Sequence, residues 1–81
     1  MVRVHIYSKE NCHLCDEALQ IIQRVHTQYP FEIIITKLTE RHPKFNEYSE
    51  KVPVVFVEGE QCFLYRVNEK MLLQKILEYE K

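Results

Sequence analysis

The sequence predicts an α/β domain, and three patterns carry that reading. Apolar residues alternate along Val2–Tyr7, take up helical spacing from Leu14 to Tyr29, and crowd together again from Phe31 to Lys37. Strand, helix and strand in that order make a βαβ unit, with parallel strands and a right-handed crossover. The only glycine, Gly59, separates two further apolar runs, where a hairpin turn needs positive φ. Leu72, Leu73, Ile76 and Leu77 then form the apolar stripe of a closing helix. The element order is β-α-β-(α)-β-β-α. Four strands and two or three helices around one sheet use up all 81 residues as a single domain, 1–81.

Each element has a local reason. Val2, Val4 and Ile6 alternate with Arg3, His5 and Tyr7, which predicts a strand over 2–7. Ser8–Asn11 is a polar loop. The helix over 13–29 places Leu14, Ala18, Ile21, Ile22, Val25 and Tyr29 on one face, with Asp16 and Glu17 where the helix dipole favours acids. Pro30 ends it, because the residue before a proline is pushed out of the α region. Ile-rich Phe31–Lys37 reads as the second strand. Thr39–Lys51 is polar, but Phe45 and Tyr48 have the spacing of one short helix that turns both aromatics inward. Val52–Val57 and Gln61–Val67 are antiparallel strands about Glu58-Gly59-Glu60, and Asn68 caps a helix over 69–80.

Composition excludes several functions. Eleven Lys+Arg against twelve Asp+Glu leave a net charge of -1, which gives no electrostatic case for a nucleic-acid or anionic-membrane partner. No apolar run approaches the ~20 residues of a membrane-spanning helix. One glycine cannot build a P-loop or a dinucleotide fingerprint, both of which need several to bring backbone amides onto phosphate. Met1–Ile6 alternates like a strand and holds no signal-peptide apolar core, so the expected location is the cytoplasm. Three cysteines, Cys12, Cys15 and Cys62, are too few for a disulfide-stapled scaffold.

Cys12-His13-Leu14-Cys15 lies where the first loop meets the helix N-terminus. A free thiol of pKa ~8.5 is only about 3% thiolate at pH 7, and the thiolate is the nucleophile. The positive end of the helix dipole favours that anion, and residues three apart on a helical turn are close enough to join as a disulfide. Cys12, at the tip, is the expected attacking nucleophile. Cys15, one turn in and more buried, is expected to resolve the mixed disulfide. His13, if protonated, and Lys9 add positive charge near Cys12. Three other readings stand beside this one. The pair could be half a zinc site, although the second Cys-x-x-Cys is missing and His5, His26, His42 and Cys62 lack ligand spacing. It could be an inert core pair, or belong to a docking module that has lost its activity.

His5-Ile6-Tyr7-Ser8-Lys9-Glu10-Asn11-Cys12-His13-Leu14-Cys15 resembles the opening of glutaredoxins, where a strand ends in aromatic-Ser-Lys and Cys-Pro-Tyr-Cys follows two residues later. Val52-Pro53-Val54-Val55-Phe56-Val57-Glu58-Gly59 resembles their Thr-Val-Pro-x-Val-Phe-Ile-x-Gly segment. The likeness covers most of the chain and is nearest to small glutaredoxin-like proteins of the thioredoxin superfamily that carry Cys-His-Leu-Cys-Asp-Glu-Ala. It implies a thioredoxin/glutaredoxin-like fold, a four-stranded mixed sheet in the order 2-1-3-4 flanked by helices. It implies a cis Val52–Pro53 bond beside Cys12, with the Val52 backbone pairing to glutathione or a substrate peptide like an added strand. It further implies that Pro53 shapes the wall of the site and keeps metals from the thiols, and that Lys9 meets a substrate carboxylate. This chain also departs from the pattern. Tyr65-Arg66-Val67-Asn68-Glu69 stands where glutaredoxins carry Gly-Gly and acidic residues for the γ-glutamyl end of glutathione, Lys51 replaces Thr, and His13 replaces the motif proline. Bulky Tyr65 or Arg66 would block close backbone approach there.

The expected function is a thiol–disulfide oxidoreductase of cell redox homeostasis. It would reduce protein or small-molecule disulfides through Cys12 and Cys15, need no cofactor, draw electrons from another thiol system with glutathione as a co-substrate option, and act as a monomer. The alternative is a metal or iron–sulfur carrier using the same cysteines. Tyr7 lies where it could line the site, Arg66 where it could meet a substrate's acidic group, and Cys62 reads as a buried structural cysteine. Phe31, Phe45, Phe56 and Phe63 are expected in the core.

Overall fold

The computed structural model describes residues 1–80. Its elements are β1 (Arg3–Ser8), α1 (His13–Gln28), β2 (Glu32–Lys37), α2 (Phe45–Tyr48), β3 (Val54–Val57), β4 (Glu60–Leu64) and α3 (Glu69–Tyr79). The sheet order is β2-β1-β3-β4, as the resemblance implies. β1 runs parallel to β2, with Val4 opposite Ile33, and antiparallel to β3, with Ile6 opposite Val55.

Strand period decides which side chains meet which layer. Val4, Ile6 and Ser8 of β1 and Val55 and Val57 of β3 are buried on one face. Ala18, Ile22 and Val25 of α1 and Leu72 and Ile76 of α3 pack there with Phe31. Fully burying one such side chain contributes about 1.5–3 kcal/mol, so Ile22→Ala removes a large part of a small domain's margin. His5 and Tyr7, paired with Phe56 and Val54, belong to the opposite face. There Tyr48 of α2 stacks on Tyr7 with ring centroids 5.3 Å apart, His42 meets Tyr7 edge-on at 5.7 Å, and Phe56 meets it edge-on as well.

Several boundaries and burials differ from the sequence reading. Of the four phenylalanines only Phe31 is fully buried; Phe45 and Phe56 are half-buried, because α2 is four residues long and covers its face only in part, and Phe63 is half-buried on edge strand β4, opposite Val55. In the last helix Leu72 and Ile76 are buried, Leu73 is half-buried and Leu77 is exposed. β3 starts at Val54 because Pro53 has no N–H to give the ladder. β4 stops at Leu64 because Tyr65 adopts φ +67. The local signals held elsewhere. Asn68 Oδ1 accepts from Met71 N–H at 2.9 Å. Glu58 (φ +50) and Gly59 (φ +82) form a two-residue hairpin turn with both φ positive, which matches the right-handed strand twist. No helix among the described residues is long and apolar enough to cross a membrane.

Candidate active site

The site is built where β1 hands over to α1. Asn11 takes φ +55, a conformation asparagine tolerates better than most residues, and so reverses the chain after Glu10. Cys12 follows as the N-cap of α1, with extended backbone (φ -110, ψ 103). Its carbonyl accepts the first helical bond from Asp16 N–H at 3.1 Å, and its Sγ accepts from Cys15 N–H at 3.2 Å. The sulfur thus takes up one of the helix N–H groups that have no intrahelical partner, at the positive end of the dipole. Cys12 and Cys15 are joined as a disulfide, with Cα atoms 5.2 Å apart. Cys12 is half exposed, whereas Cys15 is 1% exposed and part of the packed face of α1.

The other sequence-predicted residues divide between this mouth and the far face of the sheet. His13 points outward, its side chain 86% exposed and Nε2 3.9 Å from Glu17 Oε1. Lys9 donates from Nζ to the Ser49 carbonyl at 3.0 Å and stands 6.0 Å from the Phe45 ring, which ties the start of the active loop to the α2 segment. Val52 and Pro53 are joined by a cis peptide bond. Since Tyr7 pairs with Val54, the antiparallel register brings Pro53 to the end of β1, from which the loop to Cys12 departs. Tyr7 is engaged in the aromatic cluster with His5, His42, Tyr48 and Phe56 on the far face. In the same cluster His5 Nε2 lies 2.8 Å from Thr36 Oγ1. Burial, and secondarily the charge of His42, lowers the His5 pKa from its ordinary value.

Arg66 is exposed at the end of β4, across a shallow cleft from the motif. Leu14, Ala18 and Ile21 of α1 face Tyr65, Arg66 and Val67 there. Tyr65 shapes this wall in a way the sequence did not signal. Its N–H donates to the Pro53 carbonyl at 2.9 Å, and Arg66 N–H donates to the Leu64 carbonyl at 2.7 Å, two residues back. With φ +67 at Tyr65 that is a γ-turn of the strained, positive-φ kind. The turn stands where the resemblance puts Gly-Gly, so the chain keeps a positive-φ backbone there without glycine.

Ser8 was also missed. Its hydroxyl is the one buried side-chain polar atom without a hydrogen-bond partner among the described residues. Continuing the Val4–Ile6 alternation by one step would have placed it inside. Cys62 is a free thiol, half-buried, and donates to the Glu60 carbonyl at 3.3 Å. Its pKa is raised mainly by burial. Among the described residues no three His, Cys, Asp or Glu side chains converge as a metal-binding group.

Residues 3–77 match the family model of the glutaredoxin-like domain (DUF836). Among solved structures, the chain is similar to structural-genomics target XcR50 from X. campestris (TM-score 0.75, 16% identity, 93% of this chain and 96% of that one). It is also similar to thioredoxin-2, a component of the malaria parasite protein secretion machinery (TM-score 0.65, 14% identity, 96% and 82%). A third likeness is to thioredoxin O2 from Arabidopsis thaliana in its oxidised state (TM-score 0.53, 15% identity, 98% and 74%). At these identities the likenesses establish a thioredoxin fold.

Proposed function

Since the chain belongs to the glutaredoxin-like domain family, whose membership points to redox chemistry in general, we propose that it is a thiol–disulfide oxidoreductase acting through Cys12 and Cys15. One observation carries the reading: a half-exposed sulfur at a helix N-cap is joined to a buried sulfur one turn later. The asymmetry separates the roles. Cys12, as thiolate, attacks one sulfur of a substrate disulfide. An S–S bond forms to Cys12, the substrate S–S bond breaks, and one substrate thiolate leaves. Cys15 gives its proton to that thiolate and attacks Cys12. The Cys12–substrate bond breaks and the second substrate thiolate leaves, taking up the proton that Cys12 had lost. Two protein thiols are oxidised and one substrate disulfide is reduced to two thiols. A thiol reductant, glutathione or a thioredoxin-type dithiol, reverses this on the protein, and no resident cofactor enters.

Lys9, Val52, Pro53 and Arg66 are the proposed surroundings of the substrate, with Tyr7 supporting them from the far face of the sheet. Arg66 is the best placed for an acidic substrate group, being exposed and across the cleft from Leu14. Lys9 spends one of its three donors on the Ser49 carbonyl, which leaves two for a substrate carboxylate. Tyr7 contributes by holding the α2 segment through Tyr48. His13 is exposed enough to add charge near Cys12 without constraining it. The expected partners are disulfide-containing proteins or glutathione-type disulfides, met by a monomer in the cytoplasm.

The test equilibrates the protein across glutathione redox buffers and reads thiols by trapping and intact mass. A reversible two-electron transition that needs both Cys12 and Cys15 supports the reading. A glutathione adduct on Cys12 of Cys15→Ser would identify glutathione as a partner. No transition anywhere in the range would end the proposal.

A further inference from the structure

The sheet face away from α1 carries a cluster that the mechanism above does not use. α2 and the loops beside it, residues 39–51, lie on that face and give no residue to the main core. None of the helical residues of α2 is buried. A short set of contacts holds the segment. Tyr48 stacks on Tyr7 with centroids 5.3 Å apart and meets Phe56 edge-on at 6.0 Å. His42 meets Tyr7 at 5.7 Å. Lys9 Nζ donates to the Ser49 carbonyl at 3.0 Å. A segment held in this way can open while the core stays folded.

Two histidines belong to these contacts. His5, on β1, has its ring 4.7 Å from that of Tyr7. It is half-buried, and its Nε2 lies 2.8 Å from Thr36 Oγ1, a hydroxyl without charge. His42, in the segment, accepts at Nδ1 from Lys44 N–H at 3.0 Å, and Lys44 is the N-cap of α2. An imidazolium has two donors and no acceptor, so protonating His42 at Nδ1 breaks that bond. Burial, and then the charge of His42, already hold His5 toward its neutral form. The surrounding charges do not offset two new cations. Arg3 of β1 lines the same cavity as His5 and is itself a cation. Glu32 of β2 is taken by Arg3 at 2.6 Å, and Glu58 of the hairpin turn accepts from Arg3 N–H. β3 brings the uncharged Phe56. Within the segment Glu47 pairs with Lys44, while Glu40, Arg41, Glu50 and Lys51 are exposed, two of each sign. Among the described residues no carboxylate pairs with either ring.

We propose that His5 and His42 form an acid latch on this segment: their protonation releases residues 39–51 from the sheet while the sheet, α1 and α3 stay folded. A proton that costs a contact in the docked state and none in the open one favours opening as pH falls. The release reaches the candidate site. It takes the Ser49 carbonyl from Lys9 and frees the chain that leads into Val52–Pro53. Its effect on activity rests on the oxidoreductase reading. The opening itself does not, and it is measured on the oxidised protein with no thiol turning over.

The test is amide hydrogen exchange of the oxidised protein, followed residue by residue by NMR from pH 7.5 to 5. Each rate is divided by that of an unstructured amide at the same pH, which gives the opening equilibrium. Tyr48 and Ser49, whose N–H groups donate within the segment, should lose protection about tenfold over this range. Ile6 and Val55 should change less than twofold. His5→Gln and His42→Asn keep polar atoms near the replaced ring nitrogens and do not titrate. Together they should hold the α2 protection within twofold, and the control His26→Gln should leave the loss in place. In wild type the opening should also track the ring titrations of His5 and His42, which decides the matter if the double variant does not fold. Opening that follows neither ring would overturn the latch. So would α2 amides that keep their protection at pH 5, or that have none at pH 7.5. Equal loss at Ile6 and Val55 is global acid unfolding and overturns it too, as does a loss that persists in the double variant. A segment that opens as described in a protein whose disulfide shows no reversible transition would keep the latch and remove the oxidoreductase reading.

Discussion

Reducing Cys12–Cys15 removes a cross-link that closes a ring of only four residues, Cys12 through Cys15. In the chain-entropy account a ring of that size restrains the unfolded chain by about 2 kcal/mol, at the small end because the effect grows with the logarithm of ring length. The folded reduced form recovers part of this. In the disulfide form the Cys12 sulfur sits at the N-cap of α1, 3.2 Å from Cys15 N, and a thiolate kept there gains about 0.3–1 kcal/mol from the helix dipole. The oxidised protein should therefore be the more stable by about 1 kcal/mol, a melting point about 4–8 °C above that of the reduced protein for a domain of this size. The assay is a pair of thermal melts at pH 7, with and without a phosphine reductant. Cys12→Ser and Cys12→Ala are the controls. Neither can form the bond, but serine keeps a cap acceptor and alanine does not, so the serine variant should exceed alanine by about 1 kcal/mol. Equal melting of the two would refute Cys12 as the cap. A reduced wild type that melts above the oxidised one would reverse the sign. It would make thiolate stabilisation the larger effect, and the site would then be an oxidant, since a fold that prefers the reduced state raises the potential.

Other expectations follow from single residues. Gly59→Ala meets no atom within 4 Å of the new Cβ, so its penalty is that of an L-residue at φ +82. About 1–2 kcal/mol of strain, less the relief of a stiffer unfolded chain, leaves about 1 kcal/mol, seen as a lower melting point with the redox transition unmoved. His5 titrates below its ordinary value because of burial and then His42. The unfolded chain therefore binds its proton first, and this contribution, full above about pH 6.5, is lost as pH falls through the lowered folded pKa. Melts from pH 7.5 to 5 should show that loss in wild type and less of it in His5→Gln. Thiol labelling under denaturing conditions should count one free thiol, Cys62, in the oxidised protein and three in the reduced one; Cys62→Ala should leave the transition in place. Tyr65→Gly keeps the positive φ and removes the ring from the cleft wall. In a Cys15→Ser background it should raise glutathione adduct formation on Cys12 several-fold. No change would show that Tyr65 is not what limits glutathione.

What the sequence disclosed depended on how far each signal reaches. Gly59, Asn68, Pro30 and the Cys-x-x-Cys pair act on their own backbone or within one helical turn, and each did in the structure what its neighbours in sequence demand. The α2 segment was legible only as a pair of aromatics. What fixes it is long-range: Tyr48 on Tyr7, and Lys9 on the Ser49 carbonyl, 40 positions away. Tyr65 was opaque for a different reason. A tyrosine carries no bias toward positive φ, and the turn is imposed by its N–H on the Pro53 carbonyl and by Arg66 on Leu64. Strain held by surrounding contacts in this way is concentrated at functional sites, and this strain lies beside the cleft that meets the motif. Ser8 fails in the opposite sense. Its pattern was present, since it extends the Val4–Ile6 row, but a serine before Lys-Glu-Asn reads as the start of a loop. Chemical type and position in the period disagree at that residue, and in a small core a polar group at an apolar position needs a reason.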